Sequence, residues 1–136
     1  MKTAVFLILA AFVFALFYVR LSPTSVEDWH VAPQALDVGD YPQMGGFTAV
    51  REAGSVTLLD VERVALATPR TKRIAGSVEE GRITYETRSL LWGFPDYTTV
   101  SLTDGKLVIE ARLRFGRSDM GVNSRRVKAW LGELGL

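Results

Sequence analysis

Arg112, Arg114, Arg117, Arg125 and Arg126 crowd between positions 112 and 126, interleaved with Ser118, Asp119 and Asn123. Guanidinium groups at this density suit a phosphate or a carboxylate, because each presents a rigid fork of donors. The stretch lies where a predicted strand gives way to a predicted helix, whose free N–H groups would add to an anion site. Ser118, Asp119 or Asn123 is placed to cap that helix. Arg125 and Arg126 then fall in its first or second turn, where the dipole disfavours an exposed cation by about 0.3–1 kcal/mol. Two arrangements offset this: internal pairing with Asp119, Glu110 or an acid of the N-terminal half, or a bound external anion.

Other chemistries find less support. Cysteine is absent, which removes disulfides, thiolate metal sites and a Cys nucleophile. His30 is the only histidine, so a His-based metal cluster is impossible, and its isolation marks it as a solvent-exposed loop residue. The run from Gly116 to Gly121 is like a nucleophile elbow, but Gly-x-Ser-x-x-Gly is one residue too long and no histidine follows. Without a dinucleotide fingerprint, a P-loop or a helical zinc motif, no cofactor and no metal is expected. Carboxylates such as Asp96 and Asp119 leave room for a small hydrolase or isomerase.

These residues must be positioned by a short chain of 136 residues, enough for one domain beyond its first segment. From position 4 to 19 every residue is apolar, with Lys2 before the run and Arg20 after it. Helical, this run is close to the thickness of a bilayer core once the flanking cations snorkel. No Ala-x-Ala follows it, which favours an uncleaved anchor over a removed signal. Lys2 and the amino terminus outweigh Arg20, placing the N-terminus in the cytoplasm and the domain on the periplasmic or extracytoplasmic side of the cytoplasmic membrane.

Charge divides along the rest of the chain. Residues 21–62 hold seven acids and one base, whereas residues 63–136 hold thirteen bases and eight acids. Either the halves neutralise one another in the fold, or the basic half presents an anion-binding face. Residues 22–46, with three prolines and little periodicity, read as an extended tether. Within it, Trp29 is set to rest at the headgroup level or to dock on the domain.

Residues 47–136 read as a small α+β domain of about four antiparallel strands covered by helices mainly on one side. A short strand is expected over 47–51. A helix capped by Ser55 then carries Leu58, Leu59, Val61, Ala65 and Leu66. Period-two alternation follows over 72–75, 82–90, 97–102 and 106–115. Asp104-Gly105 is a hairpin turn that pairs Leu102 with Leu107, Val100 with Ile109 and Thr98 with Ala111. It directs Leu107, Ile109, Ala111, Leu113 and Phe115 inward. Val127, Trp130, Leu131 and Leu134 make the apolar face of a final helix.

Arg114-Phe115-Gly116-Arg117-Ser118-Asp119-Met120-Gly121-Val122-Asn123, followed by Arg125-Arg126-Val127, resembles the signature of a bacterial and plastid family, domain-of-unknown-function family 1499. Pro69-Arg70-Thr71, Thr87-Arg88-Ser89 and Gly93-Phe94-Pro95-Asp96-Tyr97 are also similar to that family. The similarity runs from about Leu59 to Leu134 and extends to the anchored architecture of short members. It implies fold boundaries and an anchor, but no activity, cofactor or catalytic residue.

The functional expectation is a non-enzymatic, membrane-tethered domain that binds an anionic lipid headgroup or a protein partner. Arg114, Arg117, Ser118, Asp119, Asn123, Arg125 and Arg126 are its candidate ligand-binding residues. Nucleic acid is not an expected partner, because residues 21–136 carry a net charge of −1.

Overall fold

The computed structural model describes residues 1–34 and 37–136. Its helices are α1 (Lys2–Leu21), α2 (Val26–Trp29), α3 (Leu58–Ala67) and α4 (Val122–Leu134). Its strands are β1 (Gly39–Gln43), β2 (Gly46–Glu52), β3 (Thr71–Ser77), β4 (Arg82–Arg88), β5 (Pro95–Thr103) and β6 (Lys106–Leu113).

Asp104 and Gly105 both adopt positive φ, 53° and 76°, the backbone that lets a two-residue turn follow the strand twist. The register is as expected, with Leu102 opposite Leu107, Val100 opposite Ile109 and Thr98 opposite Ala111. This hairpin is the centre of one antiparallel sheet ordered β1-β2-β6-β5-β4-β3. The sheet therefore has six strands, where about four were expected. Strand β1 escapes period-two reading because Gly39 and Pro42 interrupt it, and an edge strand tolerates a proline that donates no ladder bond. The short helix α2 also lies in the segment expected to be an extended tether; residues 35 and 36 of that segment fall outside the described residues.

Helices α3 and α4 cover one face of the sheet. Thr57, rather than Ser55, begins α3: its hydroxyl accepts from Asp60 N–H while its own N–H donates to the Asp60 carboxylate. The core joins Val61 and Ala65 of α3 and Val127, Trp130 and Leu131 of α4 to Phe47, Ala49, Ile83, Tyr85, Val100, Leu107, Ile109 and Ala111 of the sheet. Leu113 is half-buried, and Phe115 lies past the end of β6, its ring 6.4 Å from both Tyr18 and Phe94 rather than in the core. Helix α1 buries none of its residues, and by length and composition it is apolar enough to cross a bilayer.

Trp130 locks the two helices to the sheet. Its ring meets Tyr85 edge-on at 5.9 Å, and its Nε1–H donates to Thr68 Oγ1 at 2.8 Å. Trp130→Ala is expected to reduce stability by about 3–5 kcal/mol, read from the denaturant midpoint. Trp130→Phe, which leaves Thr68 without its donor, is expected to reduce it by about 1 kcal/mol plus the smaller ring's packing loss. A midpoint unchanged by Trp130→Ala would contradict the sheet-covering role of α4.

Candidate functional site

The arginine-rich junction is held mostly by internal contacts. Asp119 caps α4 from two residues before Gly121: its carboxylate accepts from Gly121 N–H at 3.0 Å and Asn123 N–H at 2.8 Å. Desolvation pushes the Asp119 carboxyl upward, but these N–H donors outweigh it and leave the group below its ordinary value. Ser118 Oγ accepts from Met120 N–H, and Arg125 donates to the Met120 carbonyl at 3.0 Å. Arg126 reaches inward, donating to Asn123 Oδ1 at 2.7 Å and to Asp96 Oδ2 at 3.4 Å. Of the seven candidates, Arg117 remains exposed without a hydrogen-bond or ion-pair partner among the described residues. The counter-ion of Arg126 is Asp96 of β5, an acid that sequence proximity did not suggest.

Arg112 and Arg114 point to the other face of the sheet, the one away from α3 and α4. That face carries Thr48, Thr84, Glu86, Tyr97 and Thr99, all buried. Part of its cover is the segment that follows α1. Arg114 donates to the Pro23 carbonyl at 2.8 Å, Ser22 Oγ at 2.9 Å and Tyr97 Oη at 3.2 Å. Arg112 donates to the Trp29 carbonyl at 2.9 Å, and Thr99 Oγ1 donates to the same oxygen. Trp29 thus docks on the domain, its ring 4.3 Å from Tyr97 and 5.1 Å from the Arg112 guanidinium carbon. His30 is not a solvent-exposed loop residue: its Nδ1 shares a hydrogen bond with Thr84 Oγ1 at 2.8 Å, and its side chain is 15% exposed.

At the end of the sheet far from the Asp104-Gly105 turn, basic residues line a cleft of about 650 Å³. Arg20, Arg70, Lys72 and Arg88 face it, and among the described residues Glu86 is the only acid in its wall. The β3–β4 register sets Thr71 opposite Thr87, which brings the flanking arginines together: Arg88 N–H donates to the Arg70 carbonyl and Arg70 Nε–H to the Arg88 carbonyl. Glu86 is shared, lying 2.8 Å from Arg88 and 3.4 Å from Lys72. Arg70, at φ 58°, is paired with no carboxylate among the described residues. A second cleft, on the helix side, shares Arg70 and Arg88 with the first and adds Arg125 and Arg126. Sequence reasoning missed Arg20, Arg70, Lys72 and Arg88 as site residues. The signal was present in Pro69-Arg70-Thr71 and Thr87-Arg88-Ser89, once the strands carrying them are placed side by side.

The Asp96–Arg126 pair is largely desolvated, with side chains 15% and 10% exposed. Burial pushes the Asp96 carboxyl above its ordinary value, and Arg126 restrains the rise; burial likewise lowers Arg126 while Asp96 opposes it. Arg126→Met removes the cation and is expected to reduce stability by about 3 kcal/mol at neutral pH. Asp96 then rises further, so the folded chain holds its proton more tightly than the unfolded chain does. Stability of the variant therefore falls as pH climbs from the ordinary carboxylate value of 3.8 through the raised one, and is recovered on acidification. Chemical melts across this range check it. A deficit independent of pH would mean that Asp96 is solvated.

No curated protein matches this chain. Among solved structures, one of an uncharacterized protein from Rhizobium leguminosarum is similar over 88% of this chain and 82% of that chain, at 18% identity and a TM-score of 0.33. A family model described as a protein of unknown function, DUF1499, matches residues 21–134. The match takes in the docked segment after α1, the whole sheet and α4, and the chain belongs to the DUF1499 family.

Proposed function

We propose that the protein is a membrane-anchored, non-catalytic binding domain that recognises an anionic phospholipid headgroup at its basic cleft. In this reading residues 4–19 span the cytoplasmic membrane with the N-terminus inside, and the domain stands on the extracytoplasmic side. One observation carries the reading: four cations line a cleft with a single shared acid, and one of them, Arg20, closes the apolar helix itself. The cleft therefore opens where a lipid phosphate would lie. A cation close to an anionic membrane surface contributes about 1 kcal/mol of attraction. Arg125, exposed early in α4, adds a cation to the adjoining cleft, whose wall also carries Glu133. Asp96 and Asp119 are committed to an ion pair and a helix cap, which favours binding over acid–base chemistry.

The test uses the full-length chain in neutral-detergent micelles titrated with phosphatidylglycerol or phosphatidylcholine. Saturable binding is expected to prefer phosphatidylglycerol and to weaken with added salt. Arg70→Gln and Lys72→Gln are each expected to lower that affinity by about 1 kcal/mol, roughly fivefold. Equal binding of the two lipids, or affinity untouched by both substitutions, would refute the cleft as the headgroup site.

A further inference from the structure

Residues 89–94 form a closed loop that turns its apolar side chains outward. Ser89 and Phe94 pair through their backbones, Ser89 N–H to the Phe94 carbonyl at 3.0 Å, and Phe94 N–H also donates to Ser89 Oγ. Gly93 N–H closes the turn on the Ser89 carbonyl, and Arg88 grips the Gly93 carbonyl at 3.0 Å. The loop is thus held by its own polar atoms, yet Leu90 is 71% and Leu91 76% exposed, with Trp92 and Phe94 also open. Four large apolar side chains on one fixed loop are unusual on a surface that meets only water.

The neighbour of this loop is α1. The ring of Trp92 lies 5.6 Å from that of Phe12, edge-on, and Arg20 Nη2 reaches the Leu91 carbonyl at 3.5 Å. Phe12 stands well inside the apolar run, about 13 Å along the axis from Leu21 at 1.5 Å per residue. A ring packed at that level cannot remain in water while α1 occupies a bilayer. Beside the loop lie Arg20, Arg70, Lys72 and Arg88 around their cleft, whose wall Leu90 and Gly93 of the loop share.

We infer that residues 90–94 are a membrane-inserting wedge, which enters the outer leaflet beside α1 and seats the basic cleft on the phospholipid headgroups. Leu90, Leu91 and Trp92 bury their apolar surface among acyl chains, and the indole reaches the depth of Phe12 on α1. This rests on the reading of α1 as a span and adds a second, independent contact with the same leaflet. The occupant of the apolar patch is lipid, because the patch is continuous with an apolar helix and rimmed by cations.

The absence of cysteine allows single-site labelling of the full-length chain. Leu91→Cys and Leu90→Cys, both exposed and so tolerated by the fold, are labelled with bimane and reconstituted into phosphatidylcholine–phosphatidylglycerol vesicles. Thr103→Cys, at the opposite end of the sheet, is the aqueous reference. Emission from positions 90 and 91 is expected to be blue-shifted and quenched by doxyl-labelled lipid, while position 103 is quenched by aqueous iodide. A chain that resists carbonate extraction but whose labels at 90 and 91 behave like that at 103 would overturn the wedge and spare the span. Release of the chain by carbonate would overturn both.

Discussion

Arg114 fixes the chain at the point where it leaves the apolar helix. Its guanidinium takes the carbonyl of Pro23 and the hydroxyls of Ser22 and Tyr97, and six residues after Pro23, Arg112 and Thr99 take the carbonyl of Trp29. Hydrogen bonds from a charged donor are worth about 1.5–3 kcal/mol each, more than neutral ones. Trp29, against Tyr97 and Arg112, adds a half-buried cation–π contact. The rest of the arrangement depends on this clamp. A freely jointed segment would let the domain tumble; a clamped one ties the basic end of the sheet to α1.

The electrostatics divide along the same line. Arginines of the junction face two directions: the alternation of β6 sends Arg112 and, just past its end, Arg114 to the outer face, while Arg126 of α4 sinks on the helix face to Asp96. The dipole penalty expected for cations early in α4 is offset by Asp119, whose carboxylate sits on the N-terminal N–H groups. The acidic N-terminal half contributes little here; its pairs are Asp40 with Arg51, Asp60 with Arg63 and Glu62 with Arg73, all elsewhere. What remains under-neutralised is the cleft, where Arg70 has no acid among the described residues and Glu86 is divided between Lys72 and Arg88.

The parts of the fold legible in the sequence were those encoded by local rules. Asp104-Gly105 dictated a turn, the turn dictated a register, and the spacing of Val127, Trp130 and Leu131 dictated the buried face of α4. Strand β1 was not legible, because Gly39 and Pro42 carry the marks of a loop and an edge strand permits them. The docking of residues 22–30 left no periodic trace, since it works through side-chain bonds to carbonyls and one stacked ring. The cleft was hidden for a third reason: Arg20, Arg70, Lys72 and Arg88 come from separate elements and meet only through antiparallel pairing. Clustering of arginine in the sequence pointed instead to the junction, much of whose charge the fold uses for itself.

The most direct measurement joins α1 to the loop beside it. In a chain without native cysteine, Phe12→Cys and Trp92→Cys replace rings whose centroids lie 5.6 Å apart. Spin-labelled in detergent and then reconstituted into vesicles, the two positions should show strong dipolar broadening within single molecules, and the broadening should weaken when Arg114→Ala loosens the clamp. Complete labelling of both cysteines without dipolar broadening would show that the domain stands away from the bilayer, and would contradict the account.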